Sequence, residues 1–268
     1  MYAVVSRCVL VVLLGTLPAS VQGREPVTKS WTVDGLERQA LVYVPEQQSD
    51  SPAPLVFGFH GHGGNMRQAA RSFRMHEEWP EAIVVYMQGV PTPGQLTDPE
   101  GKKNGWQKSV GDQADRDLKF FDAVLASVRK EYRVDDERIY SMGHSNGGGF
   151  TYLLWAARGD AFAAVAPSGA LSVKHRNDLK PKPVLHVAGE NDPLVRFAWQ
   201  EAMLEVVKKV NQCEDGKPWK ENATVFPSRV NTPLVTFITS EGHRFPQAAP
   251  RLIVTFFREH TRSESVQP

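Results

Sequence analysis

Cysteine is scarce in this sequence, because only two of the 268 residues are cysteines. Cys8 lies in an apolar stretch near the start of the chain, and Cys213 lies far along it. If the first stretch is removed during export, Cys213 is left alone and no disulfide can form within the chain. The fold must then be held by its apolar core, which a chain of this length can build.

An excess of charge of either sign is also missing. The sequence has 31 Lys and Arg residues against 30 Asp and Glu residues, a formal net charge of +1, and no run of basic residues stands out. This balance argues against nucleic acid as a partner, and no feature indicates an obligate protein partner. No Cys/His cluster with metal-ligand spacing and no phosphate loop ending in Lys-Ser/Thr is present, so we expect neither a metal nor another cofactor.

The sequence lacks an apolar run long enough to cross a membrane. The run Cys8–Leu17 has about ten residues, whereas a transmembrane helix needs about 20. A basic residue precedes the run and the small-residue sequence Val21-Gln22-Gly23 follows it, which is typical of a secretory signal peptide. We therefore predict that residues 1–23 direct export to the periplasm or the medium. Residues 24–268 show no linker or repeat, and we expect them to form one domain without membrane contact.

Short apolar segments alternate with segments of helical periodicity along the rest of the chain. Strands are predicted at residues 29–35, 38–44, 55–59, 82–86, 139–142, 162–166, 184–188 and 234–238, and helices at 66–79, 113–132, 150–157, 193–210 and 248–260. The alternation predicts an α/β fold whose central sheet is mostly parallel and carries helices on both faces. An antiparallel pair made by the first two strands fits the α/β-hydrolase arrangement.

The stretch Ile139–Phe150 has the pattern of a nucleophile elbow. It contains Gly143-His144-Ser145-Asn146-Gly147, a G-x-S-x-G sequence that follows an apolar strand and precedes a helical segment. Glycines two positions before and after Ser145 would let the strand and the helix approach closely while the serine is held in a strained conformation. Ser145 is therefore the predicted nucleophile.

A serine nucleophile needs a base, and the base needs a carboxylate that orients it. In α/β-hydrolases these residues follow in the order Ser, then Asp or Glu, then His. His243 directly follows the last predicted strand and is the predicted base, whereas His186 lies in mid-strand and is expected to be a core residue. Asp192, on the loop after the strand at 184–188, is the predicted acid, with Glu190 as the alternative.

Two backbone groups complete the predicted site. The N–H of Asn146 is expected to be one donor of an oxyanion hole, and the N–H of His62 is expected to be the second. His62 lies in the glycine-rich sequence His60-Gly-His-Gly-Gly64, where backbone can approach a substrate closely. For Trp106, in a long Gly/Pro-rich segment, two interpretations remain open. Its ring could bind substrate, or it could belong to the core.

Six segments of the chain match the motifs of a known group of enzymes. They are His60–Asn65, Tyr86–Gly89, Gly105–Gln107, Val134–Gly149, Gly189–Asp192 and Gly242–Pro246. Through these segments most of the chain resembles the polyhydroxybutyrate depolymerase and feruloyl esterase group, which is similar to carbohydrate esterase family 1 and includes many exported bacterial esterases.

The resemblance implies Ser145, Asp192 and His243 as a catalytic triad, with His62 and Asn146 at the oxyanion hole. Many members of the group have a cysteine, often disulfide-bonded, at the position of His62. They also more usually have a tryptophan where this chain has Phe245. Both departures border the expected site, so they bear on the choice of substrate rather than on the mechanism.

We therefore expect a secreted serine esterase that works through an acyl-enzyme. Its expected substrates are feruloyl or acetyl esters of plant polysaccharide, or short polyhydroxyalkanoate esters. A peptidase or amidase with the same triad is an alternative, and a catalytically silent binding protein on a hydrolase scaffold is another. Only residues 167–183 separate two predicted strands, and Lys174–Lys180 is too polar for an amphipathic lid, so we expect a minimal cap and an open cleft.

Overall fold

The structure is a computed structural model that describes residues 25–46, 51–94 and 96–262. The predicted signal peptide, residues 1–23, lies outside these ranges. Within them, no helix has both the length and the apolar character that are needed to span a membrane.

The strands of the described residues confirm the predicted, mostly parallel sheet. They are β1 (Val27–Val33), β2 (Leu36–Tyr43), β3 (Ala53–Phe59), β4 (Ile83–Met87), β5 (Val90–Pro91), β6 (Asn104–Gly105), β7 (Val134–His144), β8 (Ala164–Ser168), β9 (Val184–Gly189), β10 (Lys217–Pro218), β11 (Thr224–Phe226) and β12 (Leu234–Thr239). In the described chain, ten of these strands form one sheet in the order β1-β2-β4-β3-β7-β8-β9-β12-β11-β10. Neighbours from β4 to β12 are parallel, whereas the pairs at both edges are antiparallel.

Helices cover both faces of this sheet, as predicted. They are α1 (Met66–Phe73), α2 (Met75–Glu78), α3 (Arg116–Glu131), α4 (Asn146–Arg158), α5 (Phe197–Val210) and α6 (Ala249–Arg258). Helices α1, α2 and α6 contribute to one apolar cluster, which includes Phe73 and Phe257. Helices α3, α4 and α5 contribute to the other, which includes Phe121 and Leu204. Strands β4 and β9 are buried along their whole length because each lies between the two clusters.

The prediction of one continuous helix over residues 66–79 was wrong. Arg74, between α1 and α2, has a left-handed backbone with φ 48°, and its N–H closes α1 by donating to the carbonyl of Ala70 at 3.0 Å. Phe73 and Met75 are both buried, although residues two apart in a continuous helix point in different directions. The break at Arg74 allows both side chains to reach the core.

Helix α3 begins later than predicted because a distant side chain caps it. Residues 113–115 have positive φ and precede the helix. The side-chain carbonyl of Gln107 accepts the backbone N–H groups of Asp117 and Leu118 at 2.9 and 3.2 Å. These N–H groups of the first turn have no partner inside the helix. The side chain of Gln107 therefore caps the helix, although Gln107 is not adjacent to it in the sequence.

The connection between β8 and β9 contains no helix. Residues 169–183 form turns and irregular backbone. Leu179 and His175 are buried, whereas Val173 is 60% exposed. The cap over the carboxyl edge of the sheet is therefore minimal, as predicted.

Two glycines allow α4 to begin directly against the ends of β3 and β7. A Cβ placed on Gly143 would lie 2.3 Å from the carbonyl oxygen of Gly147. A Cβ placed on Gly147 would lie 2.0 Å from the carbonyl oxygen of Phe59, at the end of β3. A carbon atom cannot occupy either position without moving backbone, so the close approach requires glycine at both. Ser145, between them, is held at the carboxyl edge of the sheet.

We predict that Gly147→Ala destabilises the protein by more than about 3 kcal/mol, because the added methyl group overpacks a site that is bounded by backbone. Gly149→Ala is the matched control on the same helix, since its Cβ would meet only the carbonyl oxygen of Leu171 at 3.9 Å. That substitution should stabilise the helix by about 0.5–1 kcal/mol. Urea denaturation followed by circular dichroism measures both changes. Equal stability of the two variants would contradict the prediction.

Candidate active site

Ser145 has the strained backbone that the elbow pattern predicts. Its φ is 57° and its ψ is −122°, a left-handed φ that is rare for residues other than glycine. Its N–H donates to the carbonyl of Ser168 on β8 at 2.8 Å, which fixes the turn against the neighbouring strand. The residue is half-buried, so its hydroxyl lies at the surface of the sheet's carboxyl edge.

The loops after β9 and β12 bring the predicted acid and base to this hydroxyl. The hydroxyl of Ser145 lies 2.7 Å from Nε2 of His243, and Nδ1 of His243 lies 2.7 Å from Oδ2 of Asp192. The side chain of His243 is 14% exposed, whereas that of Asp192 is 1% exposed. A histidine held in this way can take a proton from serine at Nε2 while the carboxylate keeps the second proton on Nδ1.

Backbone groups hold the carboxylate of Asp192 in place. Its Oδ1 accepts the N–H groups of Leu194 and Val195, both at 2.9 Å. The neighbouring Asn191 donates its side-chain amide to the carbonyl of Ser240 at 2.7 Å, which ties the loop of the acid to the loop of the base. Glu190, the alternative acid, is exposed. Of the two carboxylates, only that of Asp192 contacts His243.

The glycine-rich loop after β3 lies beside Ser145. A Cβ placed on Gly61 would lie 3.5 Å from the Cβ of Ser145, so the loop passes the serine in van der Waals contact. Asn146 is the first residue of α4, and the first N–H groups of a helix have no partner inside it. The backbone N–H of Asn146, the residue after Ser145, therefore has no acceptor inside the helix.

The side chain of His62 anchors this loop to the long segment between β4 and α3. Its Nε2 lies 3.0 Å from Oδ2 of Asp98, and the ring contacts Gly94 and Gly105. The N–H of Lys103 donates to Asp98 at 2.8 Å and is the main reason that the pKa of Asp98 is lowered. Asp98 thus remains a carboxylate that can hold His62 where many members of the resembling group have a cysteine.

Of the two interpretations left open for Trp106, the structure favours the core residue over the substrate-binding ring. The indole is 0% exposed, stacks on Phe150 with ring centroids 5.2 Å apart, and donates its Nε1–H to the carbonyl of His60 at 2.9 Å. The backbone of Trp106 also pairs with the side chain of Asn146 through bonds of 2.7 and 3.2 Å. The ring therefore belongs to the core under the site, where it supports the glycine-rich loop and the start of α4.

Across the described residues, no group of three or more His, Cys, Asp or Glu side chains is arranged to hold a metal ion. The chemistry that this geometry offers is that of a serine with an adjacent base, an oriented acid and nearby backbone donors.

A family comparison matches the dienelactone hydrolase family to residues 80–242 of this chain, which is more than half of its length. The chain belongs to the dienelactone hydrolase family. The matched region contains Ser145 and Asp192 and ends immediately before His243.

The chain is also similar to proteins that are named feruloyl esterases. A probable feruloyl esterase C of Aspergillus flavus is 27% identical over 201 residues, which cover 73% of this chain and 71% of the relative. Feruloyl esterase C of Emericella nidulans is 29% identical over 194 residues, covering 72% of this chain and 68% of the relative. A feruloyl esterase module from Clostridium thermocellum has the same fold, with a TM-score of 0.63, 13% identity, and coverage of 90% and 89% of the two chains.

The family, the fold and these relatives make the chain a carboxylic ester hydrolase with an α/β-hydrolase fold. The resemblance to the feruloyl esterase group is confirmed, whereas the resemblance to polyhydroxybutyrate depolymerases stays a prediction.

His144, which the sequence did not single out, lies against His243. Its ring centroid is 4.9 Å from that of His243 and 6.0 Å from that of Phe245, and its Nδ1 lies 3.1 Å from the hydroxyl of Ser168. Burial is the main cause that lowers the pKa of His144 to about 3, and the charge of His243 adds to the shift. His144 thus stays neutral and adds no positive charge next to the base.

The ring of Phe245 packs against helix α1. Its ring centroid lies 4.8 Å from that of Phe73 on α1. The residue that replaces the more usual tryptophan therefore joins the loop of the base to the helix after the glycine-rich loop.

We predict that Asp192→Asn lowers kcat at least about 10³-fold, because an amide cannot hold His243 in the tautomer that accepts the serine proton. Glu190→Gln is the matched control, since it removes an exposed carboxylate two residues away that does not contact His243. It should leave kcat within about twofold. Steady-state kinetics on a p-nitrophenyl ester measures both. A larger loss in the Glu190 variant would reassign the acid.

Three buried histidines should make the protein less stable in acid. Burial is the main cause that lowers the pKa of His60 and of His186 to about 4, and that of His144 to about 3, from an ordinary 6.5. Between about pH 6.5 and 4 the unfolded chain binds these protons and the folded chain does not, so acidification favours unfolding.

The free energy of unfolding should therefore fall with decreasing pH across this window, by at most about 1.4 kcal/mol per pH unit for each histidine. Urea denaturation at several pH values between 4 and 7 measures the slope. Replacing His60 by Gln should make the slope shallower. A free energy of unfolding that does not change across the window would contradict the assignment of these histidines as buried and neutral.

Proposed function

We propose that the protein hydrolyses carboxylic esters through a covalent acyl-enzyme on Ser145. The observation that carries this proposal is the pair of 2.7 Å contacts that joins Ser145 to His243 and His243 to Asp192. The contacts occur at a strained turn where a strand meets a helix, which is the setting in which a serine is presented as a nucleophile.

The reaction proceeds in two halves. Ser145 Oγ attacks the ester carbonyl carbon while its proton moves to Nε2 of His243, and the carbonyl oxygen becomes an oxyanion. The C–O bond to the alcohol then breaks, and the alcohol leaves with the proton from His243. A water molecule next attacks the acyl carbon, gives a proton to His243 and releases the acid, and that proton returns to Ser145. Asp192 stays ionised and keeps the Nδ1 proton of His243 in place.

The N–H groups of Asn146 and His62 are the proposed donors to the oxyanion. The unpaired start of α4 and the contact between the glycine-rich loop and Ser145 support this assignment. The pairing of His62 with Asp98 supports it further, because a donor must be held still before the charge develops.

The proposed substrates are polymers that carry a small or planar acyl group in ester linkage. The feruloyl esterases among the relatives support a hydroxycinnamoyl group; acetyl esters and short polyhydroxyalkanoate esters are further candidates. The helix-free connection at residues 169–183 supports an open cleft that a polymer can reach. Without a long apolar channel, each added acyl CH₂ would gain little of the ~0.8 kcal/mol that full burial provides.

We further propose that the enzyme is exported by residues 1–23 and works as one domain formed by residues 24–268. The apolar run and the small-residue cleavage sequence support export. The continuous sheet from β1 to β12 supports a single folding unit.

The test is a series of p-nitrophenyl esters from acetyl to palmitoyl, with methyl ferulate beside them, on the purified enzyme. We expect kcat/KM to be highest for acetyl, butyryl or feruloyl esters and to fall with longer chains. Ser145→Ala should lower kcat by about 10⁶-fold with folding intact, and a fluorophosphonate probe should label only the unsubstituted enzyme.

Two results would overturn the proposal. Near-normal ester hydrolysis by the Ser145 variant would reject the nucleophile. A maximum of kcat/KM at twelve or more acyl carbons, roughly the range in which an apolar channel would contribute, would reject the open-cleft substrate range.

A further inference from the structure

A chain of buried hydrogen bonds continues from Asp192 into the core. Oδ2 of Asp192, which contacts His243, also accepts a hydrogen bond from the side-chain amide of Gln200 at 3.4 Å. The amide oxygen of Gln200 lies 3.2 Å from Nε2 of His186. Nδ1 of His186 lies 2.9 Å from the hydroxyl of Tyr152. Gln200, His186 and Tyr152 are each 0% exposed.

Only one assignment of donors and acceptors is consistent with this chain of hydrogen bonds. The amide nitrogen of Gln200 also donates to the carbonyl of Val195 at 2.7 Å, so nitrogen faces Asp192 and oxygen faces His186. His186 must therefore donate from Nε2 and accept the proton of Tyr152 at Nδ1. Burial lowers the pKa of His186 to about 4, so the ring is neutral and has one N–H to donate.

The chain also joins the structural elements that carry the predicted nucleophile and acid. Tyr152 lies on α4, the helix that begins directly after Ser145. His186 lies on β9 and Gln200 lies on α5, the elements before and after Asp192. Movement of α4 relative to the acid would therefore leave a buried polar group without a partner, which is unfavourable.

We propose that Gln200 and His186 are positioning residues that hold Asp192 in the orientation that His243 requires. The proposal rests on the proposed function, because both residues act through Asp192. Backbone N–H groups hold Oδ1 of this carboxylate, but the oxygen that faces His243 has Gln200 as its other partner. Gln200 thereby sets the rotation of the carboxylate plane toward the base.

His186 sets the orientation of the amide that performs this role. A glutamine amide can present either its nitrogen or its oxygen to a neighbour. The Nε2–H of His186 attracts the oxygen, so the nitrogen is left for Asp192. Without His186, the amide could turn its oxygen toward the carboxylate, and two acceptors would then face each other.

The main variant is Gln200→Met, which keeps the size of the side chain and removes its donor. We expect kcat to fall about tenfold, the effect of one hydrogen bond to a charged group, with KM nearly unchanged. His186→Leu should act in the same direction. His186→Gln, which can keep a donor near Nε2, should restore most of the lost kcat. Tyr152→Phe, at the far end of the chain, should have the smallest effect.

Asn211→Leu is the matched control. Asn211 is also a fully buried amide. Its side chain pairs with the backbone of Lys182 at 3.1 and 2.6 Å and takes no part in the hydrogen bonds that link Asp192 to Tyr152. Its replacement should lower stability and leave kcat per folded molecule unchanged. If Asn211→Leu lowered kcat as much as Gln200→Met, the loss would reflect general damage to the core and the proposal would fail.

A double-variant cycle decides whether Gln200 acts through the acid. In an Asp192→Asn background, Gln200→Met should cause no further loss of kcat, whereas a second tenfold loss would overturn the proposal. Full kcat in Gln200→Met, with kcat strongly lowered in Ser145→Ala and Asp192→Asn, would overturn this inference and leave the proposed function intact. Near-normal ester hydrolysis by Ser145→Ala would instead reject the proposed function.

The unsubstituted protein provides a test that does not depend on whether variants fold. Nitrogen NMR of the histidine rings near neutral pH should show His186 as a neutral ring with its proton on Nε2. A proton on Nδ1 alone would reverse the donors and acceptors of the hydrogen bonds, and protons on both nitrogens would mean a charged ring. Either result would overturn the proposal.

Discussion

The contact between Gly147 and the carbonyl oxygen of Phe59 is the constraint on which the site depends. Because Gly147 has no side chain, α4 can begin directly against the end of β3, and the turn between β7 and α4 is tight. Ser145 therefore has a φ of 57°, and its hydroxyl points away from the sheet toward the loops. The same contact places the first N–H groups of α4, which have no partner inside the helix, next to the glycine-rich loop at the end of the same strand.

A second layer of contacts joins the loops around the site to one another and to α4. The long segment after β4 is joined to α4 through Trp106 and Asn146 and to the glycine-rich loop through His62 and Asp98. Trp106 lies beneath these contacts as part of the aromatic core. This layer fits an enzyme whose substrate comes to a preformed site, because the donors that would stabilise an oxyanion need no rearrangement when charge develops.

Much of the fold was predictable because each face of the sheet imposes a regular pattern on the sequence. Strands that are covered on both faces are continuously apolar, and helices with one buried face repeat about every 3.6 residues. The errors occur where the local structure depends on packing or contacts with residues that are far away in the sequence, or where an element is too short. The break at Arg74 permits two side chains to reach one core, Gln107 caps α3 from another loop, and the short edge strands β10 and β11 are too brief to show a pattern.

The sequence alone determined which residues are candidates for the site, whereas only the tertiary structure decided how they meet. The elbow motif and the order of Ser145, Asp192 and His243 are local or ordinal features, so they can be recognised in a linear chain. Gln200 carried one weak signal, as a polar residue on the helix face that also bears buried Met203, Leu204 and Val207. Its partners, like the buried position of Trp106, depend on contacts between residues that are far apart in the chain. Such contacts exist only after packing has brought the elements together, because hydrogen bonding and burial act over a few ångströms of space and not along the sequence.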